Sequence, residues 1–206
     1  VKDTISGEVI TAGLEWGFYD DIPVPEDYNG DGTTDYATWS PVGSLGYWHI
    51  FGASTAWQPY GYPGDIPVPG DYDGDGTCDR ALVREDGVYL RWLVKEADGN
   101  HYHFFWGEPG DTVQALDYDG DGITDPTLWR SYGAYSTTWF IRSLAKIRYG
   151  YESDTAVTGD FDGDGNYDVG LFRGSEGIWY IWNPFGANYK ETYGQDGDIP
   201  AVGQSY

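Results

Sequence analysis

Short runs of strand-forming residues punctuate this chain at regular intervals. DYATWS, DRALVR, DPTLWR and DVGLFR are each soon interrupted by Gly, Ser or an acidic residue. A second set, GYWHIF, GVYLRWLV, STTWFIRS and GIWYIW, is aromatic and apolar at its centre. A third run leads into an aromatic-Gly pair, as in NHYHFFWG, and a fourth is IPVPGDY or its equivalents TVQALDY, TAVTGDF and IPAVGQS. These runs are too short for stable helices and rich in β-branched and aromatic residues, which predicts strands. The prolines at 23, 25, 67, 69 and 200 each remove a ladder donor and weaken the regularity of the fourth run. Four short strands in about 44 residues predict one blade of a β-propeller.

The polar segments between these runs keep the same beat. DYNGDGTTD begins at Asp27, DYDGDGTCD at Asp71, DYDGDGITD at Asp117 and DFDGDGNYD at Asp160, at offsets of 44, 46 and 43 residues. An aromatic-Gly pair with an Asp five residues after the aromatic recurs as Trp16-Gly17 with Asp21, Tyr60-Gly61 with Asp65, Trp106-Gly107 with Asp111, Tyr149-Gly150 with Asp154 and Tyr193-Gly194 with Asp198. The chain thus holds four complete units and a fifth divided between its ends. The expected fold is all-β: one domain over residues 1–206, a propeller of four-stranded blades, with the fifth blade composite. Residues near Val1 align with Leu45 and Ile178, so the N-terminus would supply roughly the third and fourth strands of that blade, and residues 199–205 the first. Gln204 stands where a loop's first Asp would be, so the composite blade would carry no acidic loop. Its second strand is missing, which leaves closure within one chain, joining of the ends between molecules through exposed strand edges, and a truncated larger propeller as open expectations.

Each nine-residue loop brings oxygens to one place. Numbering from the first Asp, side chains at positions 1, 3, 5 and 9 point inward, a Gly at position 6 permits a sharp reversal, and position 7 offers a backbone carbonyl. The donors are Asp27, Asn29, Asp31, Thr33 and Asp35 in residues 27–35; Asp71, Asp73, Asp75, Thr77 and Asp79 in 71–79; Asp117, Asp119, Asp121, Ile123 and Asp125 in 117–125; and Asp160, Asp162, Asp164, Asn166 and Asp168 in 160–168. Such a cluster without a counter-ion repels itself by on the order of several kcal/mol at intermediate dielectric. Hard oxygen ligands on a flexible loop favour Ca²⁺ over Mg²⁺ and over softer transition metals, which predicts four Ca²⁺ sites. An EF-hand begins with the same Asp-x-Asp-x-Asp-Gly, but it needs a Glu at position 12 and a following helix. Position 12 here is Thr38, Leu82, Leu128 or Leu171, inside the strand-like runs. Tight Asp-Gly turns alone could account for one such loop, though not for four at one beat. Asn29 makes the first loop one charge poorer, so it is expected to be the weakest site.

The segment GDIPVPGDYDGDGTCDRALVRE, with the later FDGDGNYDVGLFRGSEGIWYIW, resembles the FG-GAP or VCBS-type repeat of secreted bacterial proteins, related to the calcium-binding blades of integrin α-chain propellers. The resemblance covers nearly the whole chain. It implies an extracellular β-propeller, Ca²⁺ in the loop between the first and second strands of a blade, and roles in adhesion, carbohydrate binding or surface assembly. Integrin propellers have seven blades, so the count differs here.

Composition narrows the partners. Asp and Glu number 34 against 11 Lys and Arg, a net charge of −23, which argues against a nucleic-acid partner. The 18% aromatic content argues against disorder. No run approaches the ~18 apolar residues of a membrane span, so no membrane insertion is expected. The chain starts at Val1, contains no Met and shows no signal peptide, and reads as a processed or excised piece. Cys78 is the only cysteine.

No catalytic constellation is legible, and an enzyme is not expected. His101 and His103 share a strand face, yet no motif places a third ligand or a base beside them or beside His49. Trp39, Trp48, Trp129, Trp139, Trp179 and Trp182 recur at related positions and are read as packing between blades. Tyr60, Tyr62 and Tyr135 are less regular and would be the better sugar platforms. Two function classes follow: a structural, adhesion or protein-interaction module at the cell surface or in a filamentous assembly, with a protein or glycan partner or self-association through terminal strands; or a lectin-like carbohydrate-binding module, accessory to a secreted enzyme.

Overall fold

The computed structural model describes residues 17, 18, 20–53, 57–183 and 185–200. Its described residues form four antiparallel four-stranded sheets and no helix, arranged as a four-blade β-propeller. The first blade comprises β1 (Ile22–Pro23), β2 (Ala37–Val42), β3 (Leu45–Ile50) and β4 (Gln58–Pro59). The second contains β5 (Ile66–Pro67), β6 (Arg80–Asp86), β7 (Tyr89–Lys95) and β8 (His101–Phe105). The third contains β9 (Thr112–Leu116), β10 (Asp125–Ser131), β11 (Thr137–Ile141) and β12 (Ala145–Arg148). The fourth contains β13 (Thr155–Gly159), β14 (Asp168–Arg173), β15 (Ile178–Trp182) and β16 (Tyr189–Thr192). Strand order within every sheet follows the chain, so each blade is a simple meander.

The prolines leave their expected mark. First strands with the Ile-Pro-Val-Pro pattern, β1 and β5, are two residues long, whereas the proline-free β9 and β13 run for five. Proline withholds the ladder donor, and the short strands are tolerated because each lies at a sheet edge, paired on one side alone. Val24 and Val68, between the prolines, still donate to the carbonyls of Ala37 and Ala81 at 3.0 and 2.9 Å, so the pairing is thinned rather than lost.

The core lies between blades. Trp39, Trp48 and Ile50 of the first blade bury against Leu82 of the second. Ala81, Val83, Trp92 and Val94 of the second pack with Leu128 of the third, and Leu116, Trp139 and Ile141 of the third pack with Val169 and Leu171 of the fourth. Trp39, Trp48, Trp92 and Trp139 are all within 1% of complete burial, as expected for aromatic packing between sheets. Successive sheets meet through alternate strand residues, because side chains at i and i+2 share a face. The expected composite fifth blade draws on the N-terminal segment and residues 199–205; residues 1–16 and 201–205 lie outside the described residues, and Ile199 and Pro200 belong to no strand.

Candidate metal centres

The acidic loops join the first and second strands of each blade. Local hydrogen bonds explain their shape. In the second loop one Asp71 oxygen accepts the N–H groups of Gly74 and Asp75 at 2.7 and 3.2 Å, and the other accepts that of Gly76 at 2.7 Å. Asp27, Asp117 and Asp160 gather the same three N–H groups in their own loops. Positions 4 and 6 have positive φ throughout, 78° at Gly74 and 84° at Gly76, a region where a side chain is strained and Gly is not. Position 5 turns back on position 7: Asp31, Asp75, Asp121 and Asp164 each accept the N–H of Thr33, Thr77, Ile123 or Asn166 at 2.8 Å.

Position 9 closes the loop from the second strand. One oxygen of Asp35, Asp79, Asp125 and Asp168 accepts the N–H at position 2, from Tyr28, Tyr72, Tyr118 and Phe161, at 2.9–3.1 Å. In loop 2 Asp71, Asp73 and Asp79 each offer an oxygen within 4.8 Å of the others, as do Asp117, Asp119 and Asp125 in loop 3 and Asp160, Asp162 and Asp164 in loop 4. These three clusters are the groups among the described residues whose His, Cys, Asp and Glu side chains converge in this way. Loop 1 does not form one. There the Asn29 amide donates to both oxygens of Asp35 at 3.2 Å, and the carboxylate is satisfied without an ion.

The electrostatics favour a cation. Burial, followed by neighbouring carboxylates and offset in part by backbone N–H donors, pushes Asp79 and Asp125 up to about 7 and Asp168 up to about 6. Asp168 is 1% exposed, and its Oδ1 has no hydrogen-bond partner. A buried carboxylate oxygen left without a donor costs free energy; the three oxygens that converge in this loop are those of Asp160, Asp162 and Asp164. The donor set is entirely oxygen, which fits a hard ion such as Ca²⁺.

The loops are also joined to one another. The N–H at position 8 of one loop donates to the backbone carbonyl at position 1 of the loop before it: Cys78 to Asp27 at 2.8 Å, Thr124 to Asp71 at 2.6 Å and Tyr167 to Asp117 at 3.1 Å. That N–H belongs to the peptide group whose carbonyl is the position-7 ligand candidate. A cavity of about 250 Å³ at the hub is lined by Glu26, Gly70, Asp71, Asp117 and Asp160, so elements of all four blades meet there.

Sequence reasoning located the Asp residues of the aromatic-Gly landmark but missed their partners. Arg84 grips Asp65 with two bonds of 2.6 and 2.7 Å, Arg130 grips Asp111 at 2.6 and 2.7 Å, and Arg173 grips Asp154 at 2.8 and 2.9 Å. The constant 19-residue offset was a readable signal. In blade 1 the equivalent residue is Ser40, which donates to Asp21 at 2.5 Å, helped by Thr38 at 3.2 Å.

The other candidates separate clearly. His101 and His103 are exposed on β8 and belong to none of the converging groups. His49 is buried with its ring 3.7 Å from that of Trp57, and burial holds its pKa down. Cys78 is buried. Tyr62 is exposed and lies under the Arg84 guanidinium, Tyr135 is exposed against Tyr151, and Tyr60 is half-buried. No helix of the described residues is long and apolar enough to cross a membrane. The chain matches no protein-family model, no curated protein and no solved structure.

Proposed function

We propose that acidic loops 2, 3 and 4 bind Ca²⁺, that loop 1, where Asn29 already bonds Asp35, is the weakest site, and that the chain is a cation-stiffened propeller serving as an extracellular interaction or structural module, as its resemblance to FG-GAP and VCBS-type repeats suggests. The observation that carries the reading is the convergence of three carboxylates within 4.8 Å in each of loops 2, 3 and 4: Asp71, Asp73 and Asp79; Asp117, Asp119 and Asp125; and Asp160, Asp162 and Asp164. The ion's role is structural. Each loop ties the first strand of a blade to the second, and the position-8 hydrogen bonds tie neighbouring loops together. Ca²⁺ therefore neutralises carboxylates at the hub, where the blades converge.

Titration calorimetry on protein stripped with EDTA tests the reading. Ca²⁺ should bind with a stoichiometry near three, with loop 1 filling only at higher concentration, Mg²⁺ much more weakly, and Asp73→Ala should remove one site. Absence of binding heat, together with identical melting in Ca²⁺ and in EDTA, would sink it. A glycan array run with and without chelator separates a protein-interaction module from a carbohydrate-binding one. Reproducible Ca²⁺-dependent sugar binding would favour the second class.

A further inference from the structure

Three blade-to-blade joints in this chain are built from the same parts. At the first, Trp48 donates its indole N–H to the carbonyl of Tyr60, Leu82 of the next blade lies over Gly61, and Arg84, two residues beyond Leu82, clasps Asp65. At the second the parts are Trp92 on Trp106, Leu128 over Gly107, and Arg130 on Asp111. The third has Leu171 over Gly150 and Arg173 on Asp154, with Trp139 buried beside them, but there Thr137 Oγ1 rather than the indole donates to the carbonyl of Tyr149. A methyl group at Gly61, Gly107 or Gly150 would strike the Cδ1 of the arriving Leu, so each glycine is the floor of a leucine seat.

Beyond blade 4 the receiving half of the joint is present again. Trp179 donates to the carbonyl of Tyr193 at 2.8 Å, Gly194 holds φ 108°, and Asp198 closes its turn by accepting the N–H of Gln195 at 2.9 Å. Nothing completes it among the described residues. The atoms nearest a Cβ at Gly194 belong to Asp198 and Phe172, with no leucine, and no Arg contacts Asp198. Trp48, Trp92 and Trp139 are 0% exposed, whereas Trp179 lines an open apolar cavity of about 520 Å³ with Phe161, Ile181, Tyr189 and Tyr193. Asp198 is exposed, where its counterparts Asp65 and Asp154 are 5% exposed.

We infer that this face of blade 4 docks a β-strand of a separate polypeptide carrying Leu and Arg at i and i+2, the Leu seated over Gly194 and the Arg forked onto Asp198. Continuity with the three completed joints identifies the occupant, and the Asp198 carboxylate supplies the charge complement. The chain itself has three Leu-x-Arg triplets, at 82–84, 128–130 and 171–173, and all three are engaged in its own joints. Residues 1–16 and 201–206 contain no Arg, so neither those segments nor an intact second copy offers a free triplet.

A labelled hairpin copied from residues 80–95, carrying Leu82 and Arg84 across the Asp86-Gly87 turn and held closed by a disulfide at its open end, reads the docking by fluorescence anisotropy. Saturable binding to the folded protein is expected. It should weaken at least tenfold with Asp198→Asn in the protein or Arg84→Ala in the hairpin, and stay unchanged with Asp196→Asn, an exposed acid on the same turn. Asn at 198 can still accept the Gln195 N–H, so the turn is kept. The proposal is overturned by absence of saturable binding, or by equal losses from Asp196→Asn and Asp198→Asn, which would mark mere charge attraction. It is overturned as well if the protein alone dimerises in sedimentation equilibrium and Trp179→Ala restores the monomer, since the occupant would then be a second copy.

Discussion

Blades 1 and 2 share a backbone plan and differ in how they hold it. Blade 2 uses full charges: Asp71, Asp73 and Asp79 converge in its loop, and Arg84 grips Asp65 through two short bonds. Blade 1 replaces one member of each device with a neutral group. Asn29 stands for Asp73 and bonds Asp35, while Ser40 and Thr38 stand for Arg84 and Leu82 and bond Asp21. The turn geometry survives these replacements because it rests on N–H groups donated to the first Asp, which both loops retain. What changes is the need for a partner. Blade 1 satisfies its carboxylates internally, whereas blade 2 concentrates charge that a cation or guanidinium must answer.

Removing the cation should expose that contrast most strongly. At tenfold saturation each site contributes about 1.4 kcal/mol by mass action, so the three converging loops together give about 4 kcal/mol. Excess EDTA should lower Tm by on the order of 10 °C for a chain of this size. Scanning calorimetry with metal analysis checks this, and unchanged melting of metal-free protein would contradict it.

The clamps come next. Arg84→Ala leaves Asp65, whose side chain is 2% exposed, buried without its cation, and should cost about 3 kcal/mol. Ser40→Ala in blade 1 should cost about 1 kcal/mol, the loss of one hydrogen bond with Thr38 still donating. Urea unfolding of both variants measures the difference, and equal costs would erase the distinction between the blades.

Exchanging the loops' third residue is a finer probe. Asn29→Asp should strengthen Ca²⁺ binding at loop 1 and Asp73→Asn should weaken it at loop 2, each by about tenfold, or about 1.4 kcal/mol. Calorimetric titration of the two variants against the parent reads both, and two unchanged isotherms would show that position 3 does not set affinity.

The smallest effect is in pH. Asp79, Asp125 and Asp168 are pushed up to about 7, about 7 and about 6 on folding, above the unfolded value near 4. The folded chain therefore holds more protons between those values, so metal-free protein should lose stability as pH rises from about 4 to 7. Ca²⁺ needs the ionised carboxylates, and with it present the loss should disappear, while its affinity should fall as pH drops from 7 towards 5. Melting curves at pH 5 and 7.5, with and without Ca²⁺, test the sign. Metal-free stability that rises with pH over this range would refute it.

The four-stranded blades and the acidic loops were legible from the sequence because both depend on short-range chemistry. Strand runs declare themselves through β-branched and aromatic residues, and each loop is shaped by one Asp gathering N–H groups three to five residues ahead while Gly supplies positive φ. The shortened β1 and β5 follow from Pro23, Pro25, Pro67 and Pro69 for the same local reason. The Arg partners of Asp65, Asp111 and Asp154 were not foreseen, since one strand and an entire loop separate them in the chain and they meet only when adjacent strands take their register. Tertiary structure also decided what equivalent residues became. Trp92 and Trp179 occupy the same place in their repeats, yet one is sealed by Leu128 of the next blade and the other borders an open cavity. Sequence fixes which faces of a strand are apolar and which turns close on themselves. Whether an apolar face is covered depends on a neighbouring sheet, and that is settled only by how the blades pack.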